Sequence, residues 1–377
     1  MNFKKLTIII SFFIISFSVF LMVGPRDYTD ALKRPYSSHK DNEYFKLSRI
    51  PISKETISKH SIPRVSSEEQ TKLKLTQEEI EILTKKYNSY SFMVMKNNSI
   101  VSENYFNGNT NETKFNPFSA SKSIVSLLVG IAVEKGYIHS LDDYVSKYIP
   151  EIQLKNTKIR DVLRMSSGMG INKIHWFIGM GLDYYAQNLT ERVMKFGEEY
   201  KPGTQVVYNN MNTQLLGMII EKTSGRKLHE FEREYLWNYI GVGDVEWCED
   251  NTGHVKAYCC HFVNTESMMK LGQLVINKGV VDGKQIVPEW YIEEMFTPDE
   301  NMTYKGMKNE WYGYQAWVYK RNGIKIQYFS GMKGQLVIVI PELNIVVTRF
   351  GKDPHMVMRD TMEPFIDDIY PIITKFL

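Results

Sequence analysis

Apolar and polar positions fall into a few distinct patterns along this chain, and each pattern predicts a different kind of element. Leu6 to Gly24 form an almost unbroken apolar run behind Lys4 and Lys5. As a helix at about 1.5 Å per residue it would measure about 28 Å, close to the roughly 30 Å hydrocarbon core of a bilayer. Residues 1–24 therefore read as a membrane anchor or signal segment. Only Ser16 and Ser18 resemble a cleavage site, and cutting there would leave Val19 to Val23 as an apolar new terminus. The paired lysines put the N-terminus in the cytoplasm and the rest of the chain on the extracytoplasmic side, or secreted if the leader is cut. Residues 25–75 turn to Ser, Lys, Pro, Arg and Glu with little periodicity, as expected of a tether and wrapping segment.

Thr76 opens a helix, with Glu78 and Glu79 in its first turn and Ile80, Ile82 and Leu83 on its apolar side. Next come Ser91 to Met95, the polar turn Lys96 to Ser99, and Ile100 to Phe106, which read as a β-hairpin. The pattern is mostly helical from about 118 to 304. Strands return at Gly323 to Tyr328, Gly334 to Ile340 and Ile345 to Phe350, with Pro341 to Asn344 as a turn. Residues 355–377 form an amphipathic closing helix. This order predicts an α+β fold: an antiparallel sheet built from both chain ends (about 76–117 and 305–377), flanked by helices, with a mostly helical insertion at 118–304.

Composition narrows the chemistry. The 46 basic and 43 acidic residues leave a net charge of +3 in 377 residues, without the clustering that a nucleic-acid groove needs. Three cysteines cannot form a disulfide framework. Cys248, His254, Cys259, Cys260 and His261 fit no familiar zinc-ligand spacing. Outside the cytoplasm a bridge from Cys248 to Cys259 or Cys260 is expected instead, with buried free thiols as the other option. Phosphate loops, dinucleotide fingerprints and Gly-x-Ser-x-Gly elbows do not occur. The aromatic group Trp176, Phe177, Tyr184 and Tyr185 suits either an acyl pocket or core packing.

Three segments carry candidate chemistry. In the first, Asn116-Pro-Phe-Ser119-Ala-Ser-Lys122 precedes a strongly apolar helix that ends at Gly136. Ser119 then sits near a helix N-terminus, where free N–H groups favour negative charge, and Lys122 lies one turn on along the same face. An amine desolvated there is a base for the hydroxyl. The alternative is an N-capping Ser119 beside a solvated Lys122. The spacing also occurs at Ser37, Ser224, Ser267 and Ser330, so position decides. Ser37 is in the tether, Ser224 precedes a helix-ending glycine, Ser267 would bond back to its own helix backbone, and Ser330 enters a strand. The second segment, Pro202-Gly through Tyr208-Asn209-Asn210, places Tyr208 on a turn before a helix, where it is either a cleft residue or an ordinary half-buried tyrosine. In the third, Ser330-Gly331-Met332-Lys333-Gly334 leads into a strand. Its glycines mark a bulge or a close approach that would let backbone N–H groups meet a ligand.

Together with Lys158-Ile-Arg-Asp-Val-Leu-Arg-Met-Ser-Ser-Gly168 and Asp282-Gly-Lys-Gln-Ile-Val-Pro288, these segments resemble the serine β-lactamase and penicillin-binding-protein superfamily. The chain is most similar to the class C-like branch of esterases and 6-aminohexanoate-dimer hydrolases, and the resemblance spans about 76–377. It implies a β-lactamase/transpeptidase-like fold and a serine hydrolase that works through an acyl-enzyme, with no metal or cofactor. By position it implies Ser119 as nucleophile, Lys122 and Tyr208 as the proton-handling pair, and Asn210 and Gly331 at the substrate. The N–H groups of Ser119 and Met332 would be the oxyanion donors. A cationic Lys122 would favour the phenolate of Tyr208.

One departure matters. Where β-lactamases and cell-wall peptidases carry Lys-Thr/Ser-Gly, this chain has Phe329-Ser330-Gly331, with Lys333 as a partial substitute for the missing lysine. Small esters or linear amides are therefore the expected substrates. The rivals are a D-peptidase or β-lactamase acting on wall peptides or β-lactams, and a silent membrane-tethered protein that uses the same cleft only to bind.

Overall fold

The computed structural model describes residues 49–53, 61–170, 182–352 and 363–377. The apolar run at 6–24 and the pair Trp176 and Phe177 lie outside the described residues. Among the described residues no helix is long and apolar enough to cross a membrane.

The principal strands are β1 (Arg49–Ser53), β2 (Ser89–Lys96), β3 (Ser99–Tyr105), β4 (Val245–Cys248), β5 (His261–Phe262), β6 (Trp317–Arg321), β7 (Ile324–Gly331), β8 (Gln335–Ile340) and β9 (Ile345–Gly351). The principal helices are α1 (Ser121–Glu134), α2 (Asn210–Ser224), α3 (Thr265–Ile276) and α4 (Glu363–Thr374). Six strands form one antiparallel sheet in the order β6-β7-β8-β9-β2-β3. The two chain ends meet at the β9–β2 seam, where Val347 faces Val94 and Thr348 faces Met93. The α+β reading holds, and so does the sheet shared between the chain ends.

Alternation along the strands explains why both faces are dry. On β8, Leu336, Ile338 and Ile340 join Phe365, Ile366, Ile369 and Ile373 of α4 in one apolar cluster. Val337 and Val339 turn the other way, into the larger core that contains α1 and α3. Gly272 lets α3 lie close on that second face, since a Cβ there would sit 2.4 Å from a Val346 methyl.

The helix opened by Thr76 is present at Gln77–Glu81 with a full capping box: Glu79 N–H donates to Thr76 Oγ1, and Thr76 N–H donates to the Glu79 carboxylate. Two expectations are corrected. Strand β6 was not among those read from the pattern, because this short edge strand ends in Lys320 and Arg321 and shows little alternation. The insertion also holds short strands, among them β4, β5 and the parallel pair Gln205–Val206 with Thr303–Tyr304. Strand β1, from the wrapping segment, pairs antiparallel with β4.

Ile338 is fully buried between β7, β9 and α4. Replacing it with Ala is expected to cost about 2–5 kcal/mol, the usual range for truncating a buried branched chain. Urea denaturation followed by circular dichroism would measure the loss.

Candidate active site

The Asn116–Lys122 segment folds into a tight turn that feeds α1. Asn116 Oδ1 accepts the Phe118 N–H at 2.8 Å, and Ser119 is the N-cap of neither this turn nor α1, so its hydroxyl is left for other work. Phe118 has φ of +48°, a left-handed conformation uncommon for a bulky residue and typical of positions held under constraint at functional sites. Ser119 is half-buried, whereas Lys122 is 1% exposed.

The spacing of three residues does what a helical turn dictates. Lys122 Nζ lies 2.9 Å from Ser119 Oγ and donates to the Tyr258 carbonyl at 3.1 Å. It also stands 4.9 Å from the centre of the Tyr208 ring. Tyr208 arrives from the other side of the cleft, half-buried one residue before the Asn209 that caps α2. Its ring stacks on Trp317 and meets Tyr312 edge-on, with the Ser119 side chain near its phenol. Lys122 from the same turn and Tyr208 from far down the chain therefore meet at Ser119.

Electrostatics revises how protons are shared. Burial lowers the Lys122 amine to about 7, against the opposing pull of the Asp183 carboxylate. Burial also holds the Tyr208 phenol above its ordinary range, only partly offset by the nearby Ser119 hydroxyl. The expectation that a cationic Lys122 would favour the Tyr208 phenolate is thus overturned. Desolvation penalises both charged forms, and the neutral amine with the neutral phenol is the pair that suits this dry site.

Gly331 comes as close as its sequence pattern suggested. A Cβ on it would lie 1.9 Å from the Pro117 carbonyl oxygen, so the end of β7 can touch the serine turn only without a side chain. Its φ of −127° is ordinary, so space and not backbone freedom demands glycine there. The following turn, Met332–Gly334, is braced from behind. Buried Arg349 donates to the Lys333 and Gly334 carbonyls at 2.9 and 2.8 Å, and Gln335 Nε2 donates to the Met332 carbonyl at 3.1 Å. Met332 thereby stays beside the Ser119 turn. Lys333 is buried in the left-handed residue of that turn, with its ammonium 5.6 Å from the Phe118 ring centre.

Asn210 does not point its amide at Ser119. Its Nδ2 donates to Asp183 Oδ2 at 2.9 Å, while Arg192 holds Asp183 Oδ1 at 2.5 and 2.6 Å. Asp183 and Arg192 escaped sequence reading because neither lies in a motif; a carboxylate buried to 3% announces itself only once the chain is folded. Tyr258 escaped for a different reason, since it acts on Lys122 through its backbone carbonyl. Tyr184 and Tyr185 are buried in the main core. Of the other Ser-x-x-Lys matches, Ser267 Oγ bonds Asn264 Oδ1 rather than its own helix backbone, and Ser224 Oγ donates to the Ile220 carbonyl.

The cysteine expectation is also corrected. Cys259 and Cys260 bond each other, and Cys248 is a buried free thiol. His254 pairs with Glu221, and His261 with Glu232, so these imidazoles have carboxylate partners.

Comparison with known proteins agrees with the fold. A 6-aminohexanoate-dimer hydrolase of Paenarthrobacter ureafaciens is 21% identical over 286 residues, 70% of this chain and 72% of that one. A Bacillus anthracis protein provisionally assigned as a 6-aminohexanoate-dimer hydrolase superposes with a TM-score of 0.75 at 18% identity, covering 91% of this chain and 95% of that one. A penicillin-binding protein from Bacillus halodurans gives a TM-score of 0.61 at 18% identity, covering 78% of this chain and all of that one. The model of the Beta-lactamase family matches residues 75–370, from the helix before the hairpin to the last helix, and the chain belongs to that family.

Proposed function

We propose that this protein is a serine hydrolase that cleaves an ester or a linear amide through an acyl-enzyme. Ser119 Oγ attacks the substrate carbonyl carbon, and the neutral Lys122 amine takes the hydroxyl proton as the new C–O bond forms. The charge that develops on the carbonyl oxygen is met by the backbone N–H groups of Ser119 and Met332 at the helix start. Collapse of the tetrahedral species breaks the bond to the alcohol or amine, which leaves with the Tyr208 phenol proton. The Lys122 ammonium then restores the proton to Tyr208. Water enters by the same route in reverse, releasing the acid and regenerating Ser119.

The observation that carries this reading is an amine 2.9 Å from the serine oxygen, buried so that it is lowered to about 7 and can exist as a free base near neutrality. Preference for esters and linear amides is supported by Phe329-Ser330-Gly331, which offers no strand lysine to a substrate carboxylate. Lys333 is a weak substitute, since its ammonium lies over Phe118.

A fluorophosphonate probe is expected to label the peptide containing Ser119, and Ser119→Ala to lose both the label and at least about a thousandfold in ester hydrolysis. Rates on a short-chain p-nitrophenyl ester, a penicillin and a D-Ala-D-Ala peptide, measured on one preparation, should rank the ester first. Labelling of a different peptide would remove Ser119 from the mechanism.

Activity should rise with pH through about 7 as the Lys122 ammonium loses its proton. Asp183 stabilises that ammonium, so Asp183→Asn should lower the amine further and move the rising limb to lower pH by about half to one unit. The pH dependence of kcat/KM for both proteins checks the sign, and an unmoved limb would mean that Lys122 is not the titrating base.

A further inference from the structure

The Tyr258–Cys260 segment lies against the catalytic lysine but belongs to none of the motifs used above. Its three consecutive carbonyls serve three different donors. Tyr258 O accepts Lys122 Nζ at 3.1 Å, Cys259 O accepts Trp247 Nε1 at 2.9 Å, and Cys260 O accepts the Cys248 N–H at 3.1 Å. The Cys259 N–H donates to the Lys256 carbonyl at 3.0 Å, so the Tyr258–Cys259 peptide is gripped at one end by Lys256 and at the other by the catalytic amine. The Tyr258 hydroxyl also donates to the Asp183 backbone carbonyl at 2.5 Å.

Three successive carbonyls aimed in three directions require the backbone to leave any regular conformation. It does so at Cys260, whose φ is +71°. A side-chain-bearing residue resists the left-handed region, and a turn so placed would relax unless something held it. What closes the turn is the disulfide between neighbours, which makes a small ring through the Cys259–Cys260 peptide. Both cysteines are buried, at 2% and 0% exposure, beside the apolar floor of the site.

We propose that the Cys259–Cys260 disulfide is a positioning element for catalysis: it fixes the Tyr258 carbonyl that holds the Lys122 amine against Ser119. The role rests on the reading of Lys122 as base. It also makes the reaction sensitive to dithiol reductants. When dithiothreitol cleaves the bond, its two thiol hydrogens and two electrons pass to Cys259 and Cys260 as two S–H groups, and the reagent leaves as its cyclic disulfide. The freed turn then lets the amine drift from Ser119 and take up water.

The test uses the full chain, purified without reductant and first shown to carry a fluorophosphonate label on Ser119, which separates this question from that of the reaction class. Alkylation after unfolding should modify Cys248 alone, and the Cys259–Cys260 peptide should weigh two hydrogens less than its reduced form. Reduction, confirmed by that mass change and with the circular dichroism spectrum retained, should lower kcat on a p-nitrophenyl ester by about tenfold or more with little change in KM. It should also raise the midpoint of the rising pH limb, because burial is the main cause of the lowered amine. Reoxidation should restore both.

Cys259→Ser/Cys260→Ser is the companion variant, since it removes the bond and keeps a side chain at the left-handed position. It should show the same kcat loss and pH shift and be indifferent to reductant, whereas Cys248→Ala should behave as the parent. Two free thiols at 259 and 260 in the unreduced protein would overturn the proposal. So would a fully reduced protein with unchanged kcat and pH profile.

Discussion

A lysine amine held out of water within hydrogen-bond distance of a serine hydroxyl is the constraint to which the rest of this structure answers. An ammonium so buried would need a close counter-ion, and Asp183, the carboxylate that pulls on it, is committed to Arg192 and Asn210. Burial therefore favours the neutral amine, which is the form the proposed reaction needs. The helix that carries it must in turn be apolar along almost its whole length, and α1 is buried from Ser121 to Ala132. A solvated α1 would return Lys122 to its ordinary pKa and leave Ser119 an unactivated alcohol.

Around that helix, buried polar groups act as pegs between elements. Gln315, 2% exposed, accepts Ser123 of α1 on its backbone carbonyl at 2.6 Å and Thr213 of α2 on its side-chain oxygen at 2.7 Å. Its amide nitrogen donates to the carbonyls of Val162 and Leu163. This one residue, through its backbone carbonyl and its side chain, fixes α1, which bears Lys122, relative to α2, which begins just after Tyr208. Arg349 plays the equivalent part behind Met332, bonding the turn carbonyls on one side and Ser89 on the other. Satisfied networks of this kind give one geometry and tolerate few others, which suits a site whose reacting groups must hold to within a fraction of an ångström.

Much of this was legible in the residues. The helix start at Thr76, the hairpin after it and the alternating strands near the C-terminus are local patterns, written in nearest-neighbour chemistry that no distant contact overrides. The Ser119–Lys122 pair was legible for the same reason, because a helical turn brings positions three apart together whatever surrounds them. Gly331 was legible as a demand for space, although what fills that space, the Pro117 carbonyl, belongs to a segment more than two hundred positions earlier. Strand β6 was missed because an edge strand with a charged end lacks the burial that makes alternation visible.

The sequence by itself determined the order of elements, the helix-turn pairing of serine and lysine, and the absence of a strand lysine before Gly331, all of which depend on short-range geometry and residue type. Tertiary structure decided that burial raises the Tyr208 phenol, that Asn210 turns to Asp183, and that Cys259 chooses Cys260 over Cys248. Those outcomes turn on desolvation and on which distant groups share a buried space. Both are properties of the packed interior, and no local run of residues encodes them.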